Sequence, residues 1–298
     1  MSSYELVSYE PSDRGDYLAL LGDAWGHHGL SGEEFDWWFS GNPAGSLMSV
    51  ARVDGKVVGV AAHSLLRMVL DGKEQLASFS VHATTHPSAR GLGIFRELER
   101  KHEEEARARG VAVVIGFASA PTTPIFLGPL GWTEVGRLRV WARPLRGILR
   151  RGGSLRHGAA GLDVGGDAAV GWPNHVVRDA GHLQWRYIES PRGYRVVCTE
   201  DGYAVVGRRW QRGLNTAVLV DFAATGGGAR RLLRRAVALA SGCQVMIALP
   251  APDQRRTFAS LGFAPTTTSL HFMGKALAGR FDPDPAAWRF TLGDTDFF

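Results

Sequence analysis

The chain has 298 residues, 45% hydrophobic and 21% charged, which is the profile of a globular protein with material for one large domain or two ordinary ones. It carries a net charge of +5, with arginine clusters at Arg143–Arg156 and Arg230–Arg235, but basic and aromatic residues do not interleave on any strand. That charge fits a phosphorylated small molecule and argues against a nucleic-acid partner. No apolar run reaches the ~18 residues of a membrane span, so no membrane partner is expected. The N-terminal Met-Ser-Ser-Tyr-Glu-Leu lacks a secretory pattern, and Cys198 and Cys243 read as reduced thiols, so a cytoplasmic location is expected.

Taken in chain order, the pattern predicts a strand over Tyr4–Tyr9 and helices over Ser12–Trp25 and Gly32–Phe39. Strands follow over Ser46–Val53, Val57–Val69 and Gln75–Thr84, with Asp-Gly pairs at Asp54 and Asp71 marking hairpin turns. A helix runs from about Leu92 to Arg109, where Glu97 with Lys101, Glu103 with Arg107 and Glu105 with Arg109 stand four residues apart. A strand over Val111–Gly116, a short helix over Thr123–Leu130 and a strand over Thr133–Trp141 complete the first half. The fold class is α/β (α+β), a mixed, mostly antiparallel sheet flanked by helices.

The second half repeats the first. Trp37, Phe39, Pro43, Gly45 and Gly59 recur as Trp185, Tyr187, Pro191, Gly193 and Gly207, all at a spacing of 148 residues. Leu130-Gly131-Trp132 recurs as Leu261-Gly262-Phe263 at a spacing of 131. Two related domains are expected, 1–146 and 172–298, joined by a linker over 147–171 that is rich in Gly, Arg and Ala. The shared Trp37 and Trp185 point to a scaffold role, while Trp38, opposite Arg186, is freer to differ in function.

The stretch His86-Pro87-Ser88-Ala89-Arg90-Gly91-Leu92-Gly93 lies between a strand and an amphipathic helix. It reads either as a tight turn or as a turn that holds an anion, because helix-start amides lack internal partners and glycine lets a phosphate approach them. Neither the Rossmann nor the Walker A spacing is met. In its context of strand, turn, helix, strand, short helix and Leu-Gly-Trp, the stretch resembles the GNAT superfamily of acetyl-CoA-dependent N-acetyltransferases. Arg90 and Gly93 match that family's Arg/Gln-x-x-Gly-x-Gly/Ala signature, and Phe95 stands where it has Gly or Ala. The likeness covers residues 1 to about 142 and, more weakly through the repeat, about 172 to 275, implying two GNAT-like domains.

The resemblance implies that acetyl-CoA is the acyl donor and that no metal is needed. The coenzyme would lie in a V-shaped gap between the strand ending near Thr85 and the strand Val111–Gly116. Main-chain groups of Ala83 and Thr85 would hold the pantetheine arm. The amides of Arg90, Gly91, Leu92, Gly93, Ile94 and Phe95 would bind the pyrophosphate, with Arg90, Arg96 and Arg100 near the 3′-phosphate. In the second copy, Gly226 and Gly228 align with Gly91 and Gly93 without a preceding Arg or Gln, which reads as a copy that has lost the cofactor.

Acetylating an alkyl ammonium of pKa ~10 requires a proton acceptor, and the departing thiolate requires a proton. Where many family members carry a glutamate and a tyrosine, this chain has Ala77 and Leu127. Ser78, Ser80 and His82 fall on one strand face by period two, which makes His82 a candidate base, with His86 second. The terminal Phe297-Phe298 resembles the end of enhanced-intracellular-survival-type aminoglycoside acetyltransferases, implying a Phe298 carboxylate base, with Asp294 and Asp296 attracting a cationic acceptor. The expected function is N-acetylation of a primary amine on a small molecule, such as an amino sugar or aminoglycoside-like compound, in a cleft facing the second domain. A non-catalytic acyl-CoA sensor, transfer of a longer acyl group and acylation of a protein amine stay open, as do monomer and homodimer.

Overall fold

The computed structural model describes residues 4–26, 29–145, 172–224 and 226–296, so the expected linker over 147–171 and Phe298 lie outside the described residues. The chain forms two compact units that interleave in sequence. One comprises Met1–Met68, Lys73–Gly136 and His271–Pro283, the other Val69–Gly72, Arg137–Leu270 and Asp284–Phe298. Each unit thus includes chain from the opposite half of the sequence, unlike a simple succession of 1–146 and 172–298.

In the first unit β1 (Glu5–Ser8), β2 (Ser46–Val53), β3 (Lys56–Leu70), β4 (Lys73–Thr85) and β5 (Val113–Ala118) stand side by side in chain order. The segment His271–Ala276 then pairs antiparallel with β5. Pairing is antiparallel for β1 with β2 and for β2 with β3, and parallel for β4 with β5. The two Asp-Gly turns form as expected, with φ of 49° and 77° at Asp54-Gly55 and 49° and 75° at Asp71-Gly72.

Helix α1 (Arg14–Trp25) packs on β4. A capping box of Ser31 and Glu34 starts α2 (Gly32–Phe35), which continues into a π-helical turn over Asp36–Ser40. Helix α3 (Ile94–Ala108) lies on β2 and β4 and seats Ile94 and Leu98 against Ala51 and Ala61, each apolar side chain contributing roughly 1.5–3 kcal/mol. A short α4 (Thr123–Leu127) precedes β6 (Thr133–Pro144).

The surface pairs expected on α3 are rearranged. Glu103 is buried and accepts from Trp132 Nε1 and Lys275 Nζ, both at 2.7 Å, instead of meeting Arg107. Lys101 pairs with Glu105, and Glu97 with Arg96 and Arg100. The inner stripe of α3 carries Glu99, His102 and Glu103 beside Ile94, Leu98 and Ala106, so polar groups occupy core positions.

The second unit contains β7 (Asn174–Val176), α5 (Ala180–Leu183) with a π-helical turn over Gln184–Ile188, β8 (Arg195–Thr199), β9 (Gly202–Gln211) and β10 (Leu214–Ala224). It continues with α6 (Ala229–Leu239), β11 (Val245–Ala248), α7 (Arg255–Ala259), the first part of β12 (Ala264–Ala276) and β13 (Trp288–Arg289). Its sheet runs β8, β9, β10, β11, then residues Trp141–Pro144 of β6. Leu232, Leu233, Ala236 and Leu239 of α6 pack on Val206, Leu219, Phe222 and Met246.

The repeated residues adopt repeated conformations. Trp37 and Trp185 each sit in a π-helical turn, Gly45 and Gly193 have φ of 86° and 64°, and Gly131 and Gly262 have φ of 66° and 83°.

Candidate active site

The stretch between β4 and α3 folds as a 3-10 turn over Pro87–Ala89, then an extended Arg90, then Gly91 at φ 84° and Gly93 at φ 81° as the helix N-cap. An L-side chain meets steric strain at such angles, which is why glycine stands at both positions. Two left-handed residues so close together turn the backbone outward. Glu97 N is the first amide of α3 to find an acceptor, Gly93 O at 3.1 Å. The amides of Gly91, Leu92, Gly93, Ile94, Phe95 and Arg96 donate to no acceptor among the described residues. Arg90, Gly91 and Leu92 are exposed, and the Arg96 guanidinium folds back over the turn, 3.3 Å from where a Gly93 Cβ would stand. Unpaired amides at the positive end of a helix can bind an anion, while the Arg96 guanidinium above them is paired with Glu97 at 2.8 Å. Phe95 turns its ring onto Phe126, 5.5 Å between centroids, so the side chain goes into the α3–α4 core and leaves its amide unpaired.

The strand leading to this turn parts from its neighbour. The β4–β5 ladder pairs Ala77 with Val113, Ser78 with Val114 and Phe79 with Ile115 and goes no further among the described residues, although β4 continues to Thr85 and β5 to Ala118. The two strands thus cease to pair with each other beyond Phe79 and Ile115, on the stretch where the V-shaped gap is expected. Ala83 and Thr85 lie on the diverging stretch, and the Thr85 hydroxyl is buried with no hydrogen-bond partner among the described residues.

His82 does not share a face with Ser78 and Ser80. It has φ 48°, a left-handed angle costly for a non-glycine residue, and this irregularity inverts the alternation of β4. Ser80 Oγ donates to Glu99 of α3, and Ala83 packs with Ile94 and Leu98 of the same helix. The His82 ring lies 5.7 Å from Trp25, 5.7 Å from Trp38 and 5.8 Å from Phe39, on the α1 side. It is buried in that aromatic cage. Trp38, read as freer than Trp37 to differ in function, is buried and donates from Nε1 to Ser64 Oγ at 2.6 Å. His86 has the turn role its place before Pro87 suggested: its Nδ1 accepts from the Ser88 amide at 3.2 Å.

The acidic tail is also corrected. Asp294 is buried and accepts from Arg178 at 2.6 Å and from the Thr291 amide at 2.7 Å, so it serves the second unit's interior and not a cationic acceptor. Arg178 also donates to Asp221 of β10 at 2.9 Å, and Asp221 accepts from Tyr187 and Tyr203 at 2.8 and 3.1 Å. Burial, followed by Arg178 and Arg186, lowers the pKa of nearby His182 to about 3.

In the second unit, the chain's own side chains approach the corresponding positions, beside a small cavity lined by Leu219, Phe222, Leu249, Ala251 and Arg289. β10 pairs with β11 only over Thr216–Val218, and beyond that point Arg289 donates to the carbonyl of Phe222 on β10 at 3.1 Å. At the start of α6, Gly228 has an ordinary φ of −77°, and a Cβ there would lie 2.0 Å from the Asp201 carboxyl carbon. A protein carboxylate therefore stands at this helix start, and Arg231 donates to it at 2.6 Å.

Sequence reasoning missed a buried polar chain in the first unit. His63 of β3 bonds through Nδ1 to Ser78 Oγ at 2.8 Å and through Nε2 to Glu99 Oε2 at 2.9 Å, and Ser80 Oγ donates to Glu99 Oε1 at 3.0 Å. The signal was present in Glu99 and His102, polar residues placed at the apolar period of α3.

Among the described residues, no group of three or more His, Cys, Asp or Glu could hold a metal, and no helix is long and apolar enough to cross a membrane. Cys198 and Cys243 are free thiols, and burial raises the pKa of both.

No curated protein matches the chain in sequence. Solved structures share its fold at low identity. A GCN5-related N-acetyltransferase from Kribbella flavida is 19% identical with a TM-score of 0.67, over 93% of this chain and 71% of that one. Eis1 from Mycobacterium abscessus is 17% identical with a TM-score of 0.58, over 92% and 74%. Saccharomyces cerevisiae N-myristoyltransferase with bound myristoyl-CoA is 13% identical with a TM-score of 0.67, over 100% and 84%. The family model described as an acetyltransferase (GNAT) domain matches residues 6–135, which hold the turn, the parted strands and α3. Residues 6–135 thus carry a GNAT-type acetyltransferase domain.

Proposed function

We propose that the chain is an acetyl-CoA-dependent N-acetyltransferase whose single coenzyme site lies in the first unit. The observation that carries this reading is the run of unpaired amides from Gly91 to Arg96, beyond the last β4–β5 pair. The residues present fit the coenzyme. The Arg90 amide, expected to bind the pyrophosphate, already donates to Pro87 O at 3.3 Å, so the amides of residues 91 to 96 would take the pyrophosphate, with Arg96 and Arg100 near the 3′-phosphate and Ala83 and Thr85 on the pantetheine arm. The coenzyme would supply the activated acyl carbon and a thiolate leaving group. The myristoyl-CoA in the yeast neighbour supports an acyl-CoA ligand for this fold. In the second unit, Arg289 on the β10 carbonyl and Asp201 at the α6 start support a copy that holds no coenzyme.

The acceptor is a primary amine on a small molecule. The pairing of Asp294 with Arg178 removes one ground for an amino sugar and leaves the two-copy architecture, shared with an Eis1-like fold, as the other. Calorimetry with acetyl-CoA, followed by thiol release over a panel of alkyl amines, amino sugars and peptides, tests the reading. One coenzyme bound per chain and release with a small amine support it. Absence of binding overturns it, and binding without turnover makes the chain a sensor.

A further inference from the structure

The chain Ser80, Glu99, His63, Ser78 is unusual in its placement. The side chains of His63 and Glu99 are 0% exposed, and Ser78 is buried with them. Ser80 alone among the four is half-buried. It is the first β4 residue beyond the last β4–β5 pair, and its Cβ lies 3.8 Å from where a Gly116 Cβ would stand on β5. One end of a continuous hydrogen-bonded chain therefore opens where β4 and β5 cease to pair, and the other ends in the core. A buried carboxylate stripped of water is costly unless hydrogen bonds hold it, and here one serine hydroxyl and one imidazole do so. Apolar residues would pin α3 to β3 and β4 without that cost, so a purely mechanical role leaves the choice of residues unexplained.

Resting on the acyl-transfer reading above, we propose that Ser80, Glu99 and His63 form a proton shuttle for the reaction, standing in for the acid and base this chain lacks at Ala77 and Leu127. The amine reacts in its neutral form, its ammonium proton already released to solvent; as its nitrogen bonds to the acyl carbon, Ser80 Oγ takes the proton that the nitrogen then loses, while its own hydroxyl proton passes to Glu99 Oε1. As the carbon–sulfur bond breaks, Glu99 returns that proton to Ser80 Oγ, and Ser80 passes one to the departing thiolate. The proton of the neutral amine ends on sulfur, and the shuttle returns to its starting state. Ser80 meets the reacting atoms. Glu99 stores the proton, and His63 is a positioning residue that holds Glu99 through Nε2.

The other groups facing this chain are compatible with storage. His102 lies 4.7 Å from His63 ring to ring and bonds to Ser49 Oγ at 3.0 Å. Burial, and then the charge of His63, lower its pKa well below the usual histidine value, so it adds no positive charge. Glu103, one turn on from Glu99, is occupied by Trp132 and Lys275. From α1, the Tyr17 hydroxyl faces the same field, and its pKa is raised by burial first, then by Tyr9 and Glu99, so it stays neutral.

The test uses the full chain with Ser80→Ala, Glu99→Gln and His63→Asn, each checked for folding by circular dichroism and for acetyl-CoA affinity by calorimetry. The expected result is retained folding and affinity, with kcat lower by about 10²-fold in the first two and its pH dependence flattened. A readout independent of turnover is the imidazole 15N spectrum. Adding coenzyme A moves the His63 ring resonances in the wild type and leaves them in place in Ser80→Ala. Folded variants that bind acetyl-CoA and keep the wild-type kcat and pH profile overturn the shuttle while sparing the acyl-transfer reading. Loss of stability alone, with kcat intact, assigns the chain to packing. A wild type that binds no acyl-CoA sinks both readings, and the His63 resonances then stay unmoved.

Discussion

Gly91→Ala isolates the conformational requirement of the turn. A Cβ at this position meets nothing within 4 Å, so any effect is one of backbone angle and not of crowding. Holding an L-residue at φ 84° costs about 1–2 kcal/mol relative to glycine. The chain can relax the angle and turn the amides away, or keep the angle and lose stability. In the first case coenzyme A affinity falls by about 5- to 30-fold, since ~1.4 kcal/mol is tenfold. In the second, affinity holds and unfolding free energy drops by the same ~1–2 kcal/mol. Asparagine tolerates the left-handed region, so Gly91→Asn should stay within about threefold of wild type in affinity and lose little stability. Calorimetric titration with coenzyme A and urea unfolding of the three proteins measure both quantities. The reasoning fails if Gly91→Ala matches the wild type in both, because the backbone at residue 91 then either is not left-handed or does not position a ligand.

Two further outcomes follow from the second unit. Asp221→Ala leaves Arg178 buried with Asp294 as its remaining carboxylate and frees the Tyr187 and Tyr203 hydroxyls. Urea unfolding should show a loss of about 3 kcal/mol, near the lower end for breaking a buried pair, and a loss under ~1 kcal/mol would show the cluster to be better solvated than its geometry implies. His182 has a pKa of about 3 in the fold against 6.5 for the free side chain, so between those values the unfolded chain holds the extra proton. Its contribution is complete above about pH 6.5 and declines by ~1.4 kcal/mol per unit as pH falls towards 3. His182→Phe should remove that part of the acid slope, and unfolding free energies at pH 4.5 and pH 7 that change equally in variant and wild type would refute it.

The elements of the first half were legible because each had a local cause. Alternation marked β2, which forms over Ser46–Val53 as predicted, and Asp-Gly pairs marked both hairpin turns. The glycine turn was legible for the same reason, since two glycines two residues apart at a helix start have few other uses. The interleaving of the units was not legible, because nothing local distinguishes a strand that pairs with β5 from one that pairs within its own half. His82 was misplaced because period two assumes a regular strand, and the left-handed angle that breaks it is a property of the packed aromatic cage and not of the residue. On α3, Glu103 was expected to pair with Arg107, as charges four residues apart on a helix usually do. Its period, matched to Ile94, Leu98 and Ala106, pointed the other way.

On the proposed reading, one scaffold holds a ligand in one copy and its own chain in the other. Both have a central strand that parts from its parallel neighbour after three paired residues, and both place a helix start just beyond it. In the first, glycines at φ 84° and 81° aim amides at solvent, and Ala83 and Thr85 remain partly exposed on the parted strand. In the second, the helix start meets Asp201 and the parted strand meets Arg289. An anion and a hydrogen-bond donor supplied by the chain thus occupy the same two kinds of position that the pyrophosphate and pantetheine of a coenzyme would fill. Internal groups bind without the loss of translational freedom that a free ligand suffers, so a coenzyme in solution competes poorly for the second pair of positions. The strength of that argument lies in the match of chemistry, carboxylate for phosphate and guanidinium for amide. On the proposed reading it leaves the first unit as the place for the acyl donor, at the unpaired amides of Gly91 to Arg96.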